Sequence, residues 1–357
     1  MEESNKLRFL MLDFYRFLAA IGVVLFHVNS IDFRAKSVVD VGSFGIFVDF
    51  FFMLSGFVLF HNYKGLQLGV ASYWAFLVRR LARIYPLHIA TMAVLVCISF
   101  TLSIPVGTVE YRDVVLNILL VQAWGLTDRL TLNHPSWSIS AEFFCYLLFP
   151  FIVVIIRNVN IYVSAAIVLA VFYIFSRAWL ALWEQSGGMY GANYDFGMLR
   201  ALPSFLLGCL IYKIYEQVKV SNALFLYLGL ATFLLAAWLM FRLSNPNHIM
   251  VFLAFSMLST ALGERSISYS SGVASCLSKA GDCSYAIYMI HGILFVTLFK
   301  FVWQALGEPI EFLLPYLIVT IISLTLMGYA VFRGFEKPAR NFINSGLAPQ
   351  PTMRMAN

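Results

Sequence analysis

The 357-residue chain is 61% hydrophobic and only 12% charged, and it carries a net charge of +6. Soluble chains typically contain about 25% charged residues, so this composition excludes a soluble globular protein and predicts a polytopic membrane protein. The positive charge does not indicate nucleic-acid binding, because basic loops set the orientation of membrane proteins. Five scattered cysteines without a CxxC pair support neither a disulfide framework nor a zinc site, and no metal site is expected.

Ten apolar runs are long enough to span a bilayer, and Trp or Tyr residues lie near many of their ends. They begin at Phe9, Gly42, Leu87, Ala141, Ile161, Arg200, Ala223, His248, Ser284 and Phe312. A further run, 114–124, is short for a span and fits a re-entrant or interfacial segment. We therefore predict an all-α transmembrane bundle of about ten spans at 1–341, followed by a disordered cytoplasmic tail at 342–357.

The basic residues predict the orientation. If 114–124 returns without crossing and the N-terminus is cytoplasmic, the basic clusters between spans fall inside, while Glu184, Asp195, Glu308 and Glu311 fall outside. A crossing at 114–124 would turn every later basic cluster outward, against the positive-inside rule. Both termini are therefore predicted to be cytoplasmic.

The first span carries three ionisable residues on one face, Asp13, Arg16 and His27. Arg16 and His27 are eleven residues apart, which is three helical turns plus about 20°. Such residues are costly in a membrane and mark a functional site. Their separation of roughly 16 Å along the axis argues against a catalytic dyad. We expect Arg16 to face the cytoplasmic half and His27 the outer end, with Asp13 as a partner for Arg16.

The second span contains Asp49 and the small pair Ser55–Gly56. Small residues usually serve close helix packing, but packing does not explain a carboxylate. Asp49 either pairs with a cation such as Arg16 or orients His27. The second interpretation is preferred, because Asp49 begins nearer the outer face.

The next basic cluster consists of Arg79, Arg80 and Arg83. It is predicted to lie on an interfacial helix, 72–84, which ends at Tyr85–Pro86 because the residue before a proline avoids α geometry. One interpretation is a positive-inside anchor that contacts anionic lipid. The other is a seat for a phosphorylated cytosolic ligand, because arginine forks match phosphate oxygens.

The segment HPSWSISAEFF leads into the fourth span, and His134 and Glu142 bracket its serines. Ser138 or Ser140 as a helix cap, with Glu142 favoured by the helix dipole, is an adequate structural account. The alternative is Glu142 as a catalytic carboxylate close to His27.

The segment SYAIYMIH places Ser284, Tyr288 and His291 on one stripe of a late span. A buried His or Tyr is more often part of an interhelical hydrogen bond than a catalyst, so the structural interpretation is preferred. HExxH, G-x-S-x-G and Walker motifs do not occur in the sequence, which leaves metalloprotease and nucleotide-hydrolase functions without support.

Taken together, these motifs resemble the acyltransferase-3 family of integral membrane acyltransferases. The resemblance covers nearly the whole chain and rests on several motifs in the same order. They are Arg-x10-His at Arg16 and His27, F-F-x-L-S-G-F-x-L at 51–59, Arg-x-x-Arg with a following proline at Arg80, Arg83 and Pro86, W-S-x-x-x-E at Trp137, Ser138 and Glu142, and S-Y-x-x-Y-x-x-H at Ser284, Tyr288 and His291.

The resemblance implies an O-acyltransferase of the bacterial cytoplasmic membrane. It would transfer an acyl group, usually acetyl from the co-substrate acetyl-CoA, to a hydroxyl of an extracytoplasmic carbohydrate such as exopolysaccharide, lipopolysaccharide or lipo-oligosaccharide. No bound cofactor is expected. Some members carry a soluble SGNH domain after the membrane part, and none is expected here.

The charges and the predicted topology suggest roles for these residues in such a reaction. The donor would rest on Arg16, Arg79, Arg80 and Arg83. His27, whose ordinary pKa is near 6.5, would be the general base, with Glu142 or Asp49 orienting its other nitrogen. Supporting residues would be Asp13, Ser55, Trp137, Ser138, Ser284, Tyr288 and His291. The outer loop 183–195 is the candidate for contact with the acceptor.

Two other classes of function compete with this one. A transporter or flippase of lipid-linked saccharides would also contain intramembrane charges, although transporters often have internal repeats and none is visible here. A non-catalytic interaction or sensor subunit would hold its buried charges as structural pairs.

Overall fold

The computed structural model describes residues 8–27, 41–102, 110–182, 189–242, 244–295, 299–307 and 309–347. Within these ranges the chain is helical and contains no strand, so the predicted all-α polytopic bundle is confirmed. The helices are α1 (Leu10–Phe26), α2 (Phe47–Tyr63), α3 (Val70–Leu102), α4 (Tyr111–Ile118), α5 (Trp137–Asn158), α6 (Ile161–Leu182), α7 (Gly197–Gln217), α8 (Leu224–Phe241), α9 (Pro246–Glu264), α10 (Ser271–Leu294), α11 (Lys300–Ala305), α12 (Leu313–Val331) and α13 (Lys337–Leu347).

Eight helical segments within the described ranges are long and apolar enough to cross a membrane, and they contain α2, α3, α5 to α9 and α12 with α13. Helices α1 and α10 fall outside this set; α1 has 17 residues, and α10 carries Lys279 and Asp282. Helix α4 has eight residues, which extend about 12 Å and are too few to cross a hydrocarbon core of about 30 Å.

The packing of α1 against α10 supports a non-crossing α4. Arg8, Arg16 and His27 contact Asp282, Ser284 and His291, in that order, so the two helices run parallel. Parallel spans must be separated by an odd number of crossings. The long helices between them, α2, α3 and α5 to α9, satisfy this condition if α4 does not cross. The total of ten spans and the cytoplasmic termini remain predictions.

The expected break at Tyr85–Pro86 is wrong, because α3 runs without interruption from Val70 to Leu102 and contains Pro86. Proline removes one intrahelical hydrogen bond, but a membrane helix tolerates this loss when neighbouring groups satisfy the freed backbone. Leu87 and His88, directly after the proline, are fully packed in the bundle. Arg79, Arg80 and Arg83 therefore belong to a long helix that enters the core.

Other predicted boundaries also shift where charged residues interrupt an apolar run. Helix α10 begins at Ser271 and not at Ser284. The apolar run starts too late because Lys279 and Asp282 lie inside the helix and lower its hydropathy. At the C-terminus, residues 342–347 form the end of α13 and not the start of a tail. The rest of the predicted tail, 348–357, lies outside the described residues, as does the 183–188 part of the predicted acceptor loop.

Helices α2 and α7 approach each other at two glycines. A Cβ atom placed on Gly56 would lie 2.0 Å from the carbonyl oxygen of Phe205, and one on Gly208 would lie 1.9 Å from that of Met53. The prediction that the Ser55–Gly56 pair serves close helix packing is thus confirmed for Gly56. This contact fixes α2, whose other face turns Phe51 and Ser55 toward the bundle centre.

Candidate active site

A cavity of about 600 Å³ lies between α1, α2, α3, α5 and α10, within the range of small-molecule sites, about 300–1,000 Å³. Its polar lining consists of Arg8, Asp13, Arg16, Ser55, His61, Asn62, Arg80, Arg83, Ser138, Glu142, Tyr146, Asp282, Ser284, Tyr285 and Tyr288. Most of the residues singled out from the sequence are in this set. The exceptions are His27, Asp49, Arg79, Trp137 and His291.

An ion-pair network connects α1 to α10 at the cavity wall. Asp13 accepts from Arg8 Nε at 2.5 Å through one oxygen and pairs with Arg16 Nη2 at 3.0 Å through the other. Arg8 also reaches Asp282, at 2.8 Å, and Arg16 Nε donates to Ser284 Oγ at 3.0 Å. The predicted pairing of Asp13 with Arg16 is confirmed. Asp13 balances the charge of Arg16 on one side, and the other side of the guanidinium faces the cavity.

Two arginines of α3 line the cavity, and their guanidinium groups are not fully paired. Arg83 lines the cavity and makes no hydrogen bond or ion pair with any residue that the structure describes. Arg80 Nη2 donates to Tyr63 Oη at 3.2 Å, but its buried Nε has no partner among the described residues. Arg79 is outside the lining. Unfilled donors of this kind are what a bound anion would satisfy.

Glu142 faces the same cavity, from α5. Ser55 Oγ and Tyr146 Oη both donate to its Oε1, at 2.6 and 2.7 Å. None of its hydrogen bonds within the described chain involves His27, so the expected role of Glu142 in orienting that ring is wrong. The second carboxylate oxygen stays available to an N–H or O–H group in the cavity.

Residues of α2, α5 and α10 line one end of the cavity. Ser138 and Tyr288 share a hydroxyl–hydroxyl hydrogen bond of 2.7 Å, and both hydroxyls lie within 3.1 Å of the carbonyl oxygen of Pro135. The ring of Phe51 packs edge-on against Tyr288, with centroids 5.7 Å apart. We call Phe51, Ser138 and Tyr288 the end wall.

His27 and His291 form a pair outside the cavity lining. Their rings lie 5.0 Å apart, and His291 Nε2 is 3.3 Å from His27 Nδ1. His291 is fully buried and lies next to the end wall, with its ring 5.6 Å from that of Tyr288. The sequence placed both histidines among the site residues but did not pair them.

Asp49 belongs to a separate charged cluster. Arg200 of α7 binds it through both oxygens, with Nη2 at 2.7 Å and Nε at 3.2 Å, and neither side chain is appreciably exposed. The guanidinium also lies over the ring of Trp137, at 5.1 Å. Asp49 thus pairs with a cation, as one sequence-based interpretation held, but the cation is Arg200 and not Arg16. The preferred interpretation, an orienting role for His27, is wrong, because Arg200 engages the carboxylate.

Several cavity or charge-pair residues were missed from the sequence. Arg200 starts one of the apolar runs of the sequence, and an intramembrane arginine should have been matched with the intramembrane Asp49. Asp282 lies two residues before a motif that was recognised, Tyr285 is the second residue of that motif, and Tyr146 lies one helical turn after Glu142. The i, i+4 spacing of Glu142 and Tyr146 is a signal that could have found that contact.

The chain was compared with protein families and with known proteins. A family model described as an acyltransferase domain matches residues 10–330. The acyltransferase MdmB of Streptomyces mycarofaciens is 34% identical over 158 residues, which are 41% of this chain and 39% of that protein. Protein 2 in the picA locus of Rhizobium radiobacter is 32% identical over 160 residues, 40% of this chain and 81% of that protein.

A longer but weaker similarity extends to the O-acetyltransferase OatA of Staphylococcus aureus, 22% identical over 365 aligned positions that cover 92% of this chain and 57% of that protein. The chain thus spans less than two thirds of the length of MdmB and of OatA. No solved structure matches it.

Proposed function

The chain belongs to the acyltransferase-3 family, and we propose that it is a membrane O-acyltransferase. In this proposal the acyl group is mainly acetyl and comes from a cytosolic acyl-CoA. It passes to a hydroxyl of an extracytoplasmic carbohydrate, such as an exopolysaccharide, a lipopolysaccharide or a lipo-oligosaccharide. The protein would act in the bacterial cytoplasmic membrane, with both termini in the cytoplasm. The observation that carries the proposal is the cavity with its unpaired Arg83.

The donor seat is assigned to Arg16, Arg80 and Arg83. Coenzyme A carries several phosphate charges, and guanidinium groups form bidentate hydrogen bonds with phosphate oxygens. Arg83 has no ion-pair partner within the described chain, and Arg80 keeps one buried nitrogen unsatisfied. Arg79 lies outside the lining and is not needed in this arrangement. The available oxygen of Glu142 would accept a hydrogen bond from an N–H or O–H group of the bound donor.

His27 is the proposed general base. Its Nδ1 lies 2.8 Å from the carbonyl oxygen of Val23, which can only accept, so Nδ1 carries the proton and Nε2 carries the lone pair. Nε2 would take the proton of the acceptor hydroxyl while that oxygen attacks the thioester carbonyl. The C–S bond breaks and the proton passes to the departing sulfur, which leaves an ester and the free thiol of CoA.

The end wall lines the cavity next to His291, which contacts His27. In the proposed reaction it separates the bound donor from His27. The thioester would meet the acceptor when the hydrogen bond between Ser138 and Tyr288 opens. The acceptor would approach from the outer side, which is where the topology prediction puts residues 189–195, the part of the predicted contact loop that precedes α7.

The activity test uses membranes that contain the protein, acetyl-CoA labelled in the acetyl group and extracted polysaccharide. We expect the wild type to transfer label, and His27→Ala to transfer none while it reaches the membrane at normal levels. An active His27→Ala protein would contradict the proposed base.

The donor seat is tested separately with purified protein. A hydrogen bond to a charged group contributes about 1.5–3 kcal/mol, so Arg83→Gln should raise the KM for acetyl-CoA by about 10-fold or more. It should also weaken thermal stabilisation by free CoA. The control is Arg333→Gln, which removes the same charge from an exposed position. If Arg83→Gln and the control behave alike, the cavity is not the donor seat.

A further inference from the structure

We propose that His291 is a positioning residue for His27. This inference rests on the proposed function, because it assigns the group that holds the general base in its working tautomer. The two histidines lie 264 positions apart along the chain. The parallel packing of α1 and α10 brings their rings together.

The proton positions follow from the acceptors around the two rings. His291 Nδ1 lies 2.5 Å from the carbonyl oxygen of Tyr288, and His27 Nδ1 lies 2.8 Å from that of Val23. Carbonyl oxygens only accept, so both Nδ1 atoms carry protons. In a neutral ring, His291 Nε2 is then an acceptor, and it faces His27 Nδ1–H at 3.3 Å.

This arrangement fixes which nitrogen of His27 is the base. Two acceptors, Val23 O and His291 Nε2, share the proton on Nδ1, so the lone pair of His27 stays on Nε2. When Nε2 takes a proton from the acceptor hydroxyl, the ring becomes an imidazolium. The Nδ1–H bond to His291 then becomes charge-assisted, and such bonds are about twice as strong as neutral ones.

The surroundings of His291 keep its Nε2 available as a hydrogen-bond acceptor for His27. The residue is fully buried, and the rings of Tyr288 and Phe295 pack against it at centroid distances of 5.6 and 6.1 Å. Both carboxylates that the sequence offered for this task are engaged elsewhere, Asp49 by Arg200 and Glu142 by Ser55 and Tyr146. The orienting group is thus an imidazole in the position that a carboxylate holds in a Ser-His-Asp triad.

Two substitutions of His291 separate positioning from packing. His291→Phe keeps an aromatic ring but has no acceptor, whereas His291→Gln offers its Oε1 as an acceptor. Residues that orient a functional side chain typically change activity or affinity by about 10- to 100-fold when they are replaced. We expect His291→Phe to lower kcat by about 10- to 100-fold with little change in the KM for acetyl-CoA, and His291→Gln to recover most of that loss.

A double-mutant cycle with His27→Ala completes the test. Without the base, His291→Phe should have no further effect on residual transfer. Thermal stabilisation by CoA should match the wild type in both His291 variants, because neither histidine lines the cavity.

The inference is overturned if His291→Phe keeps the wild-type kcat, if the Phe and Gln variants lose activity equally, or if the His27 and His291 effects multiply independently. Failure of the proposed function looks different, since then His27→Ala itself transfers label at the wild-type rate.

Discussion

The buried pair of Asp49 and Arg200 gives a prediction that separates structure from catalysis. The sequence offered Asp49 as a catalytic residue, whereas the structure encloses it in a bidentate ion pair. Removing one partner of a buried pair typically costs about 3–5 kcal/mol, because the other charge is left uncompensated. The two single substitutions should not cost the same.

The surroundings of each partner set the difference. In Asp49→Asn, Arg200 keeps its hydrogen bonds to the carbonyl oxygens of Ala192 and Gly45, both 3.1 Å long, and its contact with the Trp137 ring. We expect a cost near 3 kcal/mol. In Arg200→Met, the carboxylate loses all of the hydrogen bonds from the guanidinium, and the cost should approach about 5 kcal/mol. With about 2.1 cal/mol/K of unfolding entropy per residue, these costs correspond to losses of roughly 4 and 7 °C in Tm.

The assay combines the Tm of the detergent-solubilised protein with acyl transfer in membranes. The double variant Asp49→Leu/Arg200→Met removes both charges, and apolar replacement of a buried pair is often neutral or stabilising. We expect it to recover the Tm and most of the transfer activity per folded molecule. A double variant with wild-type Tm and no activity would refute the reasoning, because it would give the pair a part in the reaction itself.

Four further predictions concern other parts of the fold. Gly208→Ala places a methyl group against the backbone of α2 and should destabilise the protein by about 1–3 kcal/mol, measured as a lower Tm. Glu142→Gln should raise the KM for acetyl-CoA, because the amide replaces one acceptor oxygen that faces the cavity; an unchanged KM would contradict the proposed hydrogen bond between Glu142 and the donor. Tyr288→Phe takes one hydroxyl from the end wall and should change kcat more than the KM, measured with labelled donor. A reporter inserted at Gly125 should read as extracytoplasmic, and a cytoplasmic signal would contradict a non-crossing α4.

The parts of the fold that the sequence predicted well depend on local patterns. Apolar length located most helices, and the short 114–124 run predicted a segment that does not cross, which agrees with the eight residues of α4. The boundaries failed where charges lie inside a helix. Arg79 and Lys279 lowered the local hydropathy, and the sequence-based starts moved to Leu87 and Ser284, although the helices begin a few turns earlier.

The site was predictable as a set of residues and not as a set of pairs. The motifs named most of the cavity lining, because ionisable and hydroxyl side chains are rare in apolar helices and stand out. The pairing of Asp49 with Arg200 and of His27 with His291 depends on which helices are neighbours. Helical periodicity gives the face of a residue but not the helix that the face meets. A strong charge in one span should therefore be matched against opposite charges in every other span.

The three ionisable residues of the first span, Asp13, Arg16 and His27, make different contacts with α10. Arg16 lines the cavity, whereas His27 lies outside the lining and contacts His291. In the proposed reaction, this division keeps the thioester and the outer solvent apart until Ser138 and Tyr288 separate. In that reaction, a thioester bound on the donor side of the end wall would be protected from hydrolysis, because a base and a water molecule could not reach it at the same time. The separation of roughly 16 Å between Arg16 and His27, too long for a dyad, would suit the proposed transfer, in which donor and acceptor arrive from opposite sides of the membrane and hydrolysis must be excluded.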